Sequence, residues 1–197
     1  MSVKQHIKEY KRELILEAAG KLFYEKGFQK TTIDDIGSAL GVTKPFIYTY
    51  FENKYALLEQ LFDQAYGDLY VDVMKVLSAK EGTPKERLRQ FVMVYVEKNI
   101  ERQRFTAIML EEEKNLNPKK VADIRRKQRD FDARLARLIE DGVSCGEFHV
   151  KDPKIASLAI SGMVRWTHRW YSPQGRLSAS DLKSTMSDLA LNLVGCA

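Results

Sequence analysis

Apolar residues recur at helical spacing along almost the whole chain, and short polar or glycine/proline breaks divide the recurrences. Leu14, Ile15, Ala18, Leu22 and Phe23 make one stripe over about residues 10–26, which Gly27 ends. Ile33, Ile36 and Leu40 make a short second stripe up to Gly41, and Val42 and Ile47 give a third element a small inward face. A longer element begins at Lys54 and carries Leu57, Leu58, Leu61, Phe62, Ala65, Leu69 and Val73 in period. After AKEGTP, the stretch Thr83-Pro-Lys-Glu86 reads as a capping box with proline at the first helical position. The run Phe91-Val-Met-Val-Tyr-Val96 could by periodicity be a buried strand. Its capped start and the EKNIERQ segment behind it make it the middle of a long helix, apolar nearly all round. A shorter helix over about 105–114 follows. Then come a long one from Asn117-Pro118 to about 143, another from Asp152-Pro153 to about 171, and a last one from Ser178 to Gly195. Residues 1–9 are polar and read as a frayed arm. The pattern predicts an all-α chain of about nine helices.

The stretch Thr31–Lys54 is the most informative. Thr32 stands where an N-cap is needed, and Asp34 and Asp35 complement the positive end of the helix that follows. Gly41 closes that helix, Thr43 precedes the next, and Pro45 falls in its first turn. With Val42 and Ile47 turned inward, Lys44, Pro45, Tyr48 and Thr49 face out. Helix, glycine turn and short helix is the arrangement of a helix-turn-helix, whose second helix enters the DNA major groove. Lysine can donate to guanine O6 and N7, and Tyr48 and Thr49 can meet base edges or phosphates. On spacing alone an ordinary pair of antiparallel helices in a helical bundle remains the alternative.

The same residues resemble the tetracycline-repressor (TetR) family of transcriptional regulators. The resemblance rests on Gly27-Phe28, TTIDDI at 31–36, LGVTK at 40–44, IYTYF at 47–51 and NKYALL at 53–58, in the family's order. It implies phosphate contacts at Thr32, Thr43, Tyr50 and Lys54, and base or backbone contacts at Lys44, Pro45, Tyr48 and Thr49. Two positions depart from the family pattern. Thr49-Tyr50 replace an aromatic followed by histidine, which leaves the operator sequence open. Gly37 replaces the usual alanine, which loosens its helix by up to about 1 kcal/mol. The organisation expected is a helix-turn-helix DNA-binding domain over 1–53, continuous with a larger ligand-binding and dimerisation domain over 54–197.

The chain of 197 residues is ample for a sizeable core, and 44% hydrophobic with 30% charged residues marks a globular protein. The net charge of +5 permits nucleic-acid binding without requiring it. Cys145 and Cys196 have no metal-ligand spacing and read as unpaired thiols of a reducing, cytoplasmic setting. The N-terminus lacks a secretory pattern, and no apolar run approaches the roughly 18–20 residues that span a bilayer. His6, His149 and His168 are scattered, and no catalytic or metal-binding motif occurs. No cofactor, metal site or enzymatic activity is expected.

The second distinctive stretch is Trp166-Thr-His-Arg-Trp-Tyr-Ser-Pro173, followed by Gly175-Arg-Leu-Ser178. Its tryptophans lie four apart on one helical face, suited either to core and dimer packing or to the wall of an effector pocket. This segment resembles a TetR subgroup with a W-x-x-R-W-Y-x-P-x-G-x-L-S signature, whose members respond to acyl-CoA thioesters. The pocket expected from this has Tyr95 at its middle, Trp166 and Trp170 on one wall, and Arg169 with Arg125 or Arg129 at an anionic end. The reading as a whole is a homodimeric repressor that binds a palindromic double-stranded operator and is released by a small amphipathic effector. A helical interaction or structural protein without DNA binding is the alternative.

Overall fold

The computed structural model describes residues 2–196; the side chains of Tyr66, Asp68 and Leu69 lie outside the described set, and with them the expected place of Leu69 in its stripe. Among the described residues there are nine α-helices, one short 3-10 turn and no strand. The helices are α1 (Val3–Lys26), α2 (Ile33–Leu40), α3 (Lys44–Tyr48), α4 (Lys54–Ser78), α5 (Pro84–Glu101), α6 (Gln103–Glu112), α7 (Pro118–Ser144), α8 (Pro153–Trp170) and α9 (Ala179–Leu193), with the 3-10 turn at Glu113–Asn115. Two compact units result, one of residues 1–65 with 104–121 and the other of 66–103 with 122–197. The N-terminal unit therefore takes in α6 and the start of α7.

α1 is longer than its sequence pattern suggested. The expected arm is helical from Val3, with Ser2 capping it by accepting a hydrogen bond from the Gln5 amide. Nothing between Val3 and Leu14 is a glycine or proline, so no residue there stops the helix. Its buried face is Ile15, Leu16, Ala19, Gly20 and Phe23, rotated from the expected stripe so that Leu14 faces out. Gly27 ends α1 with φ 82°, and the buried Thr31 hydroxyl lies 2.9 Å from the Gly27 carbonyl.

α2 has the complete capping box. Thr32 Oγ1 accepts from the Asp35 amide, and the Asp35 carboxylate accepts from the Thr32 amide at 2.8 Å. Gly41 ends it at φ 66°. Gly37 proves to have a packing role: a Cβ there would lie 2.8 Å from the Val42 carbonyl oxygen, and the Val42 amide donates to Gly37 O at 2.9 Å. The turn into α3 closes against the bare glycine backbone.

In the second unit α5 packs against α8 and α9. Its Phe91, Val92, Tyr95 and Val96 are buried in a core with Phe131, Leu135 and Leu138 of α7, Ile160 and Val164 of α8, and Leu182, Met186 and Ala190 of α9. The helical reading of residues 91–96 is thus correct. The buried Asn99 amide donates to Val164 O at 2.9 Å and contacts Thr167 Oγ1 at 2.5 Å, tying α5 to α8. Gly142 lies inside α7, where any Cβ would overlap the Phe148 ring; Gly146, at φ 84°, makes the turn.

Candidate nucleic-acid interface

α3 has only five residues, too few to hold a helix in water unaided. Its surroundings hold it. Ile47 is fully buried, the Phe46 amide donates to Thr43 O, and the Thr49 and Tyr50 amides donate to the carbonyls of Phe46 and Ile47. The α2–α3 turn sets its start, and α1 lies alongside, with Lys11 Nζ 5.7 Å from the centre of the Phe46 ring.

Lys44, Pro45, Tyr48 and Thr49 are exposed, as the spacing predicted, and Tyr50 is half-buried with its ring 5.2 Å from Phe46. Tyr48 is 46% exposed. Thr43 occupies the N-cap of α3 with extended backbone, but its hydroxyl makes no capping bond. Lys44 Nζ lies 3.0 Å from Asp34 Oδ2, and that carboxylate raises the lysine's pKa. A hydrogen-bond donor, a phenol and a ring-stiffened backbone therefore share one outward face, the inventory that base edges and phosphates require.

Besides Lys44, three of the residues expected to touch DNA are already engaged within the protein. The Thr32 hydroxyl sits in the capping box, donating to Asp35 Oδ2 at 2.7 Å. Those Thr32 bonds, with Lys26 nearby, hold the Asp35 carboxyl down at about 2. Thr49 Oγ1 donates to Phe46 O at 2.7 Å. Lys54 Nζ donates to the carbonyls of Phe28 at 2.7 Å, Thr31 at 2.8 Å and Gln29 at 3.3 Å, and lies 4.4 Å from the Phe28 ring centre. Three carbonyls match its three ammonium hydrogens. Partial burial lowers its pKa, with the Glu112 charge opposing. In this arrangement Lys54 clamps the α1–α2 turn.

That turn is also held from the far end of the unit. Glu112 accepts from the Phe28 amide at 3.2 Å, Gln29 donates to Asn115 Oδ1 at 2.6 Å, and Asn115 donates to Glu112 at 2.6 Å. Asn117 and Lys120 bond Glu59 and Asp63 of α4. Sequence reasoning missed these contacts, because residues 84 and 86 positions apart carry no local signal.

The six residues expected around an effector pocket fall in three places. Tyr95 is buried, its ring 5.7 Å from Phe91 and 5.4 Å from Phe131. Arg125 and Arg129 are exposed on α7. Trp166, Arg169 and Trp170 are exposed on α8, the indoles by 59% and 49%, with Arg169 5.9 Å from the Trp166 ring centre. The indoles continue an outward stripe of Ile155, Leu158 and Gly162, turned away from the Ile160, Val164 and Thr167 face that meets α5. On α9, Leu189 and Leu193 are likewise exposed. Among the described residues no helix is long and apolar enough to cross a membrane.

Two family models match. One, described as bacterial regulatory proteins of the tetR family, covers residues 15–61; the other, described as the tetracyclin repressor-like C-terminal domain, covers 81–194. The chain is 24% identical to the HTH-type transcriptional repressor KstR2 of Mycolicibacterium smegmatis, over 87% of this chain and 84% of that one. A 29% identical match to the regulator YuxN of Bacillus subtilis spans 52% of this chain and 35% of YuxN. Among solved structures, the TetR family regulator PfmR of Thermus thermophilus superposes with a TM-score of 0.82 at 31% identity, covering 90% of this chain and 97% of that one. AibR, solved in complex with isovaleryl coenzyme A and operator DNA, shares the fold with a TM-score of 0.80 at 23% identity, over 90% of this chain and 96% of that one.

Proposed function

Because the chain belongs to the tetracycline-repressor family of DNA-binding transcriptional regulators, we propose that it is a homodimeric repressor whose two α3 helices read the halves of a near-palindromic operator. The observation that carries this reading is the shared outward face of Thr43, Lys44, Pro45 and Tyr48, on a helix otherwise fixed by buried contacts. Lys44 must exchange Asp34 for a base or phosphate on binding. That exchange is inexpensive, since both groups are already in water. Thr32, Thr49, Tyr50 and Lys54 flank the contact, and the three engaged among them act chiefly by holding the motif in shape.

The dimer forms through α8 and α9, as a four-helix contact between subunits. The support is the exposed stripe of Ile155, Leu158, Trp166 and Trp170 with Leu189 and Leu193. Covering the exposed half of one indole contributes on the order of 2 kcal/mol. Two-fold pairing sets the two recognition helices about one DNA turn apart.

The effector is an amphipathic anion of the acyl-CoA type, bound within the domain from residue 54 onward. Support comes from the signature at 166–178 and from AibR, the fold neighbour solved with isovaleryl coenzyme A and operator DNA. Arg169, exposed on α8 beside Trp166, supplies a cation for the anionic group. Trp166 and Trp170 serve the subunit contact. Effector preference for a non-binding state, transmitted along α4, lowers operator affinity. The test is a gel shift on fragments flanking the protein's own gene, challenged with specific competitor. It is followed by CoA thioesters and free acids against wild type and Arg169→Ala. A sequence-selective shift released by thioesters, less readily in Arg169→Ala, supports the reading. Absence of any selective shift sinks the regulator reading, and equal release from both proteins sinks the arginine's part in it.

A further inference from the structure

We infer that Arg12 of α1 is a positioning residue for DNA recognition: it fixes the C-terminal end of the recognition helix without touching DNA. Its guanidinium meets three partners from two places in the chain, the Tyr50-Phe51 pair after α3 and Gln60 of α4. Nη1 donates to Tyr50 O at 2.8 Å, Nη2 donates to Gln60 Oε1 of α4 at 3.0 Å, and the plane lies 4.3 Å from the Phe51 ring centre. Arg12 precedes the segment matched by the N-terminal family model, residues 15–61.

A planar fork with fixed donor directions suits this position. α3 is five residues long, so its direction is set by whatever holds its ends. Its start is held by the α2–α3 turn against Gly37. At its end the chain turns toward α4, and carbonyls leaving a helix lack intrahelical donors. Tyr50 O is such a carbonyl, and Arg12 supplies the donor. The second donor goes to α4, so the end of α3 and the side of α4 are pinned to one rigid group on α1. The ring of Phe51 beneath it adds a cation–π contact, and Phe51 is itself buried. Arg12 lies three, seven and eleven residues before Ile15, Ala19 and Phe23, on the buried side of α1. There it is half-buried, committed to the protein interior. With it removed, Tyr50 O loses its donor and the recognition helix loses its fixed direction. The outward Lys44 and Tyr48 then miss their base edges while the positive charge of the rest of the face persists.

This inference rests on the proposed reading of α3, and the experiment separates the two. Operator and random-sequence duplexes are titrated by fluorescence anisotropy at several salt concentrations with wild type, Arg12→Met, Arg12→Lys and Tyr48→Ala, at a temperature where circular dichroism shows each fully folded. Arg12→Met is expected to lose at least tenfold in operator affinity, keep its random-sequence affinity, and keep the wild-type salt slope. A phosphate contact would instead lower the slope by about one and weaken both duplexes. Arg12→Lys, which keeps the charge but not the planar fork, is expected to recover part of the loss. Should Arg12→Met fail to fold, Gln60→Met removes one partner of the fork and is expected to show a smaller loss of the same kind. Unchanged operator affinity in these variants, or a reduced salt slope, overturns the inference. Tyr48→Ala binding as well as wild type overturns the reading of α3 instead.

Discussion

The two exposed faces that matter for function are built on opposite principles. The α3 face offers polar groups, Lys44, Tyr48 and the Thr43 hydroxyl, on a short helix held by a hydrogen bond from α1 and an ion contact from α2. The α8–α9 face offers hydrocarbon and indole on two longer helices whose opposite sides are packed into the core with α5. In the proposed function the first face meets an anion that brings water and counterions with it, so its binding would be salt-sensitive and its specificity would depend on angle. In the proposed dimer the second meets a copy of itself, so its association would follow buried area and respond little to salt. A polar recognition face has to be positioned by its neighbours, whereas an apolar association face needs only to be left uncovered.

The largest effect should come from putting charge on the apolar face. Trp166→Glu should convert a dimer of twice 22.7 kDa into a monomer at micromolar concentration, as read by light scattering, and should lower operator affinity by more than a hundredfold because each half-site is then bound alone. A dimer that survived would move the subunit contact elsewhere. Next in size is the recognition face itself. Tyr48→Ala or Lys44→Ala should cost about ten- to hundredfold in operator affinity by anisotropy, with light scattering unchanged. Loss of the dimer in either variant would show that the two faces are not independent.

Smaller again is the capping box beneath the recognition helix. Thr32→Ala should lower unfolding stability by about 1 kcal/mol in a denaturant titration. The pH dependence has a defined sign. Asp35 titrates near 2 in the folded chain, below its unfolded value, so its contribution is full above about pH 4 and is lost as pH falls toward 2. The melting-temperature difference between wild type and Asp35→Asn should therefore shrink over that interval and be flat above it. The smallest effect belongs to Asp34→Asn, which frees Lys44 from an exposed pair and should change operator affinity by no more than a few fold.

The contrast also explains what the sequence made legible. Caps, turns and short stripes are local, so α2, α3, Gly27 and Gly41 stood where Thr32, the glycines and Pro45 put them. The apolar run at 91–96 was assigned correctly from its flanks alone. Long-range contacts were hidden. Nothing near Lys54 announces that it would donate to three carbonyls of the α1–α2 turn, or near Glu112 that it would bond the Phe28 amide. Arg12 did leave a trace, a charge on the buried side of a helical wheel, but Leu14 was counted in its place on the core stripe. The tryptophans of α8 show the limit most clearly. Their spacing put them on one face, and which face the fold would cover depended on α5, outside any local window.

The central claim is that a two-fold dimer reads DNA through α3, and footprinting on the DNA flanking the protein's own gene tests it most directly. The account predicts two protected half-sites related by two-fold symmetry with centres about one helical turn apart, and loss of both in Lys44→Ala/Tyr48→Ala at concentrations where wild type saturates. Protection that survives in the double variant, or a single protected segment without symmetry, would contradict it.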